Sequence, residues 1–231
     1  MNRGRVSRVT SPVKSRPYRS ALRSKGALAT RRAILAAAER LFAAEGYAAT
    51  TVTAIATEAG VSVDTVYASV GRKPQLILGV IDMTLGSSAD APAAEERQYV
   101  VAIRAAPSAQ NKLAIYASAL ARLVPQIRPL QEALREAAAL DSECATAWRR
   151  LVDRRAANMR LFAADLRATG ELRPDLTDAQ VADIVWATNS VEFFGLLSQR
   201  GWGPPEYEAL LLDLWRRMLL SEVARNRSAV R

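Results

Sequence analysis

Apolar residues recur with a helical period along most of the chain, and in its first third they form four short segments. Gly46 ends the first segment as a C-cap glycine does, and Gly60 permits a tight turn after the second. Thr51 and Ser62 place N-cap oxygens before the second and third segments. Two short helices joined by a glycine turn predict a helix-turn-helix over residues 51–70.

Longer helical patterns follow a Gly-, Ser- and Ala-rich stretch at residues 86–94, which predicts a domain boundary. Thr177 and Gln180 form a capping box, and Pro204 opens the last pattern. No pair of strands is evident, so the sequence predicts an all-α fold. Prolines and caps divide the second part into helices at residues 95–105, 108–124, 128–140, 142–168, 177–200 and 204–226.

The last two helical patterns are apolar on two sides. In the final one, Leu214 and Met218 lie on one stripe, and Leu212 and Trp215 lie on another. A helix that needs burial nearly all round is either central or shared with a partner, and the last helix of a chain is rarely central. The pattern therefore predicts a homodimer that forms a four-helix bundle through residues 177–224.

Composition adds limits to this picture. The chain has 231 residues and half of them are hydrophobic, so it can bury a sizeable core. No apolar stretch approaches the roughly 18 residues that cross a bilayer, and no uninterrupted apolar signal segment is present. We expect a cytoplasmic protein without a membrane partner.

The titratable residues exclude several kinds of chemistry. Histidine is absent and Cys144 is the single cysteine, which removes disulfides, nearly all zinc sites and the usual histidine and cysteine catalysis. Carboxylate, lysine or serine–lysine catalysis would remain, but no motif for it is present. Cys144 is interpreted as a small apolar residue rather than a redox sensor. We predict no catalytic residue, no metal site and no cofactor.

Positive charge is concentrated at the N-terminus. Ten of the 32 Lys and Arg residues lie in residues 1–32, which contain no Asp or Glu, and the other 22 are balanced by 23 acidic residues. The net charge of +9 therefore predicts a polyanionic partner reached by a basic arm. Residues 1–27 mix Arg, Ser, Pro and Gly without an apolar period, which predicts a disordered tail. A targeting peptide is the alternative, but it would need an amphipathic helical period.

The segment GVSVDTVYASVGRK at residues 60–73 has the properties of a helix that meets DNA. Tyr67 can direct its hydroxyl to a phosphate oxygen, and Arg72 and Lys73 begin the next helix, where cations and free N–H groups bind phosphate together. The competing interpretation is a capped surface helix with solvated charges. The inward positions are valines, and the outward ones are short side chains that let DNA approach: Ser62, Asp64, Thr65, Ala68 and Ser69.

The stretch AILAAAERLFAAEGYAATTVTAIATEAGVSVDTVYASVGRKPQLI resembles, in order and spacing, the DNA-binding domain of the tetracycline-repressor (TetR) family of bacterial transcription regulators. The resemblance covers residues 28–86, and beyond them it extends only to the helical character and to the closing segment GWGPPEYEALLLDLWRRML. It implies a DNA-binding domain at residues 28–88, with three helices around a helix-turn-helix. A larger helical effector-binding and dimerisation domain would follow at residues 89–231.

The resemblance also implies roles for particular residues. Thr51 would touch the DNA backbone, Tyr67 a phosphate, and Lys73 a phosphate from the start of the fourth helix. Val70 stands where the family usually has an aromatic residue, and Ala68 stands where it usually has a larger polar or aromatic residue. The surface that would contact DNA is therefore smaller here. Base-reading positions correspond to Val63, Asp64, Thr65 and Ala68.

Asp64 has two interpretations. Its carboxylate can accept a hydrogen bond from cytosine N4 and so read a base. Alternatively, it stabilises the N-terminus of its helix through the helix dipole.

The implied function is a ligand-responsive repressor that binds a palindromic double-stranded operator as a homodimer and is released by a small-molecule effector. Helices in residues 108–170 would enclose the effector. Alternatives are a constitutive helical DNA-binding protein without an effector, and an all-helical enzyme. The choice between repressor and activator, the operator and the effector stay open. Candidate pocket residues, each also interpretable as ordinary core, are Tyr116, Trp148, Phe162, Trp186 and Phe193.

Overall fold

The computed structural model describes residues 16–88 and 93–227, and this part of the chain is built from α-helices. No β-strand occurs within it, and an isolated antiparallel bridge pairs Leu172 with Leu220. The predicted all-α fold is confirmed. The helices are α1 Arg16–Ala49, α2 Val52–Glu58, α3 Val63–Ser69, α4 Lys73–Gly86, a short 3-10 helix Ala94–Glu96, α5 Gln98–Ala105, α6 Ala109–Ala138, α7 Ser142–Arg167, α8 Asp178–Thr188, α9 Val191–Ser198, α10 Pro204–Leu219 and α11 Glu222–Arg227.

The first helix differs from the sequence prediction at its start. The pattern predicts a disordered tail over residues 1–27, whereas α1 begins at Arg16. Residues 16–27 contain Ala, Leu, Arg and Lys, which have high helix propensity and offset the missing apolar period. Residues 1–15 of the predicted tail lie outside the described ranges. Gly46 interrupts α1 near its end with φ 78° and ψ 165°, as its predicted C-cap role requires.

The N-terminal helices share one apolar core. Ile34 and Phe42 of α1, Ile55 of α2, Val66 of α3 and Leu76 of α4 are all buried. α1 packs against α2, α3 and α4, so the two short helices are fixed on its surface. Burial of these aliphatic side chains is what holds the helix-turn-helix in place, because helices this short are unstable alone.

One helix replaces two predicted ones in the middle of the chain. The sequence predicts helices at 108–124 and 128–140, separated by prolines, whereas α6 continues through both Pro125 and Pro129. A proline inside a helix removes one N–H donor and costs about 3 kcal/mol or more. The buried neighbours Val124 and Ile127 pack into the core and offset this cost.

The predicted helix at 177–200 is divided in two. α8 ends at Thr188, and α9 begins after Ser190, whose side chain accepts a hydrogen bond from the backbone of Phe193 at 3.1 Å. A serine N-cap of this kind starts a new helix and so explains the break. The predicted helix at 204–226 is likewise divided, because α10 stops at Leu219.

The C-terminal helices surround α6. This helix packs against α5, α7, α9 and α10, and α4 reaches from the N-terminal core to both α6 and α7. Tyr116 of α6 lies at the centre, with its ring centroid 5.7 Å from that of Trp215, 6.2 Å from that of Tyr99 and 5.0 Å from that of Phe162. None of the helices in the described ranges is long and apolar enough to cross a membrane.

Candidate nucleic-acid interface and internal cavity

The turn between α2 and α3 follows the predicted local chemistry. The side chain of Thr51 accepts a hydrogen bond from the Ala54 backbone N–H at 3.0 Å and caps α2. Gly60 adopts φ 68°, a left-handed conformation that a side chain disfavours. Thr51 is itself exposed, so its hydroxyl lies at the surface at the start of α2.

α3 has one face against the core and one face open. Val66 is fully buried, and Val63 and Val70 are half-buried against the same core. Ser62 caps the helix by accepting from the Thr65 backbone N–H at 3.2 Å, and the two hydroxyl oxygens lie 2.8 Å apart. The valines thus fix the depth of α3, and the cap fixes its start.

The open face of α3 carries the predicted contact residues. Asp64 and Ala68 are exposed, and the Tyr67 side chain is 47 % exposed. Within the described ranges, the structure gives no hydrogen-bond partner to the Asp64 carboxylate or to the Tyr67 hydroxyl. Arg31 of α1 donates to the backbone carbonyl of Ser69 at 2.8 Å and fixes the far end of α3. The face is therefore both accessible and anchored.

Lys73 is held close to the end of α1. Its ammonium donates to the Ala48 carbonyl at 3.2 Å and lies 4.3 Å from the centroid of the Tyr47 ring. Partial burial lowers the pKa of Lys73. The side chain is half-buried at the N-terminus of α4, where the helix dipole also favours an anion.

Arg72, the other predicted phosphate ligand, already has an anionic partner. It forms a salt bridge with Glu143 of α7, so its guanidinium connects the start of α4 to α7. Both side chains are substantially exposed. Contact between Arg72 and a phosphate therefore requires the exchange of one anion for another.

Cys144 lies beside this contact. Its sulfur is 3.4 Å from the hydroxyl oxygen of Tyr47, and the residue is buried. Burial raises the pKa of the thiol, which keeps it protonated and poorly nucleophilic. This environment agrees with a small apolar role.

A cavity of about 260 Å³ lies between α5, α6 and α7. Of the five residues that the sequence predicts to line a pocket, Tyr116 and Phe162 line this cavity, whereas Trp148, Trp186 and Phe193 do not. The larger part of the wall is aliphatic. Its apolar side chains include Ile103, Leu120, Val124, Ile127, Leu151 and Met159.

The wall also contains arginines that the sequence analysis did not single out. Arg154 binds Asp82 of α4 through two hydrogen bonds of 2.8 and 2.9 Å, and Arg97 donates to the same carboxylate at 3.1 Å. Both arginines line the cavity, while Asp82 lies behind them. These residues are 15 to 72 positions apart, so no local motif signals the cluster.

Arg155 lines the same cavity without a carboxylate ligand. It donates to the side-chain oxygen of Asn189 at 2.6 Å and to the Trp186 carbonyl at 3.1 Å. Burial lowers its pKa because water no longer solvates the charge. Asn189 also donates to the Tyr116 hydroxyl at 2.8 Å, which joins Arg155 to the aromatic centre.

Comparison with known proteins connects the helix-turn-helix to a family. Residues 34–79 match the model for bacterial regulatory proteins of the tetR family. No curated protein matches the chain.

Several solved structures share the fold. A candidate transcriptional regulator from Saccharomonospora viridis in complex with choline has a TM-score of 0.62 and 19% identity, over 83% of this chain and 98% of its own. A candidate TetR-family transcriptional regulator from Rhodococcus sp. has a TM-score of 0.61 and 17% identity over 83% and 98%. The regulator FadR from Bacillus subtilis in complex with stearoyl-CoA has a TM-score of 0.60 and 19% identity over 79% and 95%. The family match lies on the helices that form the exposed helix-turn-helix, and residues 34–79 therefore have the N-terminal domain of the tetR family of bacterial regulatory proteins.

Proposed function

We propose that the protein is a repressor that binds a palindromic operator as a homodimer and leaves it when a small molecule binds. The observation that carries this proposal is the open face of α3. Asp64, Tyr67 and Ala68 are exposed there, on a helix fixed by buried Val66 and by the Arg31 contact. A helix presented in this way fits the major groove, where its side chains can reach base edges and phosphates.

The phosphate contacts come from residues around α3. Thr51 is exposed at the start of α2, and Lys73 lies at the N-terminus of α4, so the two flank the recognition helix in the chain. Such contacts fix the register of the protein on DNA but carry no sequence information. Val63, Thr65 and Ala68 would then contribute short contacts to the bases.

The homodimer is inferred from apolar surface on the last helices. On α10, Trp215 and Leu219 are buried within the chain, whereas Leu214 is half-buried and Met218 is 37 % exposed. Leu196 of α9 is 64 % exposed. Apolar surface that one chain leaves open in this way is typical of an interface. A second copy would cover it through residues 177–224 and place two α3 helices in successive major grooves, roughly 34–36 Å apart.

The cavity supports the proposal that a small-molecule effector binds inside the protein. It is slightly smaller than the roughly 300–1,000 Å³ typical of small-molecule sites, and it is largely apolar with a few polar groups. The similar structures hold choline and stearoyl-CoA, which differ in charge and size. To shift the protein from almost entirely DNA-bound to almost entirely released, the effector must prefer the released state over the DNA-bound state by about 5.5 kcal/mol. We assign the protein no catalytic reaction and place its action in the cytoplasm.

Selection of bound duplexes from a random pool tests this function. We expect a palindrome whose half-sites are separated by about one helical turn, and a mass of two chains per duplex in sedimentation. A single asymmetric site bound by one chain would refute the homodimer. If no sequence is enriched and small molecules leave binding unchanged, the constitutive non-specific protein is the better description.

A further inference from the structure

The wall of the cavity has more positive than negative charge. Four guanidinium groups line it, those of Arg97, Arg104, Arg154 and Arg155, against two lining carboxylates, those of Glu95 and Asp165. Arg97 and Arg154 share a third carboxylate, that of Asp82. The Asp165 carboxylate is already neutralised by Lys112 of α6 at 3.0 Å, so the guanidinium groups outnumber the carboxylates left to balance them. An interior with unbalanced cations favours an anion, since attraction between charges is strong where water is excluded.

Arg155 is the clearest unbalanced charge. Its hydrogen bonds go to two neutral oxygens, those of Asn189 and Trp186. Glu192 is the carboxylate whose field reaches it, but that side chain forms a salt bridge with Arg135 at 3.2 Å. A partly buried guanidinium without an anion is costly, and a carboxylate ligand would offset that cost.

Arg97 supplies a second indication. Its side chain is only 6 % exposed, and its Nε is buried with no hydrogen-bond partner in the described part of the chain. Buried donors are nearly always satisfied in folded proteins. This free donor belongs to a side chain that lines the cavity, so a ligand oxygen there can accept a hydrogen bond from it.

We propose that the cavity binds a small amphipathic carboxylate, whose headgroup pairs with Arg155 and with the two arginines that hold Asp82, Arg97 and Arg154. The apolar body of the ligand packs on the aliphatic wall of α6 and α7. The planar guanidinium matches a carboxylate in a bidentate geometry. The ligand competes with Asp82 for Arg97 and Arg154. The consequence for DNA binding rests on the proposed function, whereas the binding site itself does not.

Competition for these arginines acts directly on α4. Asp82 is the α4 residue that both arginines hold, and the same helix begins at Lys73, next to α3. When the ligand takes the arginines, the carboxylate loses partners that attach α4 to α5 and α7. The position of α4, and with it that of α3, then depends on whether the cavity is filled.

Ligands of equal length but different charge test the site. Octanoate, octanamide and octylammonium are titrated into the full-length protein by calorimetry. We expect octanoate to bind at least about 10-fold more tightly than octanamide, the lower limit for a hydrogen bond between charged groups, and octylammonium to bind most weakly. Equal affinities for octanoate and octanamide, or tighter binding of octylammonium, would overturn the proposal.

Two variants distinguish the roles of the charges. Arg155→Met removes the charge but keeps an apolar stem, so it should abolish the preference for octanoate over octanamide. The control Arg160→Met, at an exposed position of the same helix, should preserve that preference. Asp82→Asn removes the competing carboxylate and should raise the affinity for octanoate but not for octanamide. A purely structural role for Asp82 predicts no such gain. Melting curves establish that each variant is folded. If a variant is not folded, the comparison of the three ligands on the wild-type protein decides the proposal.

The effect on DNA is measured separately, with the duplex selected from the random pool. Octanoate should lower the duplex affinity of the wild type by about 5- to 150-fold, the usual range of coupling between two sites, and leave that of Arg155→Met unchanged. If octanoate binds as expected but no duplex is bound at all, the proposed function fails and the carboxylate site stands. If the duplex binds but octanoate has no preference over octanamide, the carboxylate site fails.

Discussion

Gly79 allows α1 and α4 to pack closely, and its replacement by alanine tests that packing. A Cβ atom at this position would lie 2.6 Å from Cδ2 of Leu35. Leu35 is only 1 % exposed, so its side chain cannot turn into solvent to make room. Gly79→Ala should therefore strain the contact between α1 and α4, which are both N-terminal helices.

The magnitude follows from two opposing effects. Replacing glycine by alanine inside a helix stabilises it by about 0.5–1 kcal/mol. Overpacking of a buried site costs about 1–3 kcal/mol. We expect the second effect to dominate, with a net loss near 1 kcal/mol and a melting temperature lower by about 2–4 °C for a chain of this size.

Gly26 offers a matched control. It lies in α1, and a Cβ atom there would meet nothing within 4 Å, so Gly26→Ala should raise the melting temperature. The double variant Leu35→Ala/Gly79→Ala should lose less stability than the sum of the single variants, since the clash is gone. If Gly79→Ala is as stabilising as Gly26→Ala, the close packing of α1 on α4 is wrong.

Three further changes address DNA binding and assembly. Lys73→Ala should weaken binding to all duplexes alike in anisotropy titrations. It should also reduce the slope of log affinity against log salt by about 0.9 per subunit, or about two per dimer, whereas the control Arg160→Ala should leave that slope unchanged. Glu143→Gln should free Arg72 and tighten duplex binding by a few-fold, because an exposed ion pair contributes only about 0.2–1 kcal/mol; unchanged affinity would mean that Arg72 does not reach phosphate. Met218→Glu should convert dimers to monomers in sedimentation, whereas Val101→Glu on α5 should not; a dimeric Met218→Glu variant would place the interface elsewhere.

The sequence was sufficient for features that depend on a few neighbouring residues. The caps Thr51 and Ser62, the glycine turn at Gly60 and the burial of Val66 are set by local hydrogen bonds and by the helical period. The same holds for the capping box of Thr177, which the structure contains. Local chemistry of this kind is readable because its partners lie within four residues along the chain.

Other features depend on contacts between distant residues, and the sequence pattern missed them. Pro125 does not end α6, because tertiary packing outweighs the local cost. Arg72 and Glu143 are 71 residues apart, and the link from Arg154 to Asp82 spans 72 residues. No periodicity indicates which charges the fold brings together, so the charged wall of the cavity became visible only in three dimensions.

We expect α3 of each subunit to enter the major groove, at two successive turns of DNA. Methylation interference on the selected duplex tests it most directly, because guanine N7 lies in the major groove and adenine N3 in the minor groove. We predict that methylated N7 positions block binding in two clusters about one helical turn apart, while methylated N3 positions have little effect. Interference confined to adenine N3, or no interference at any base, would contradict the claim.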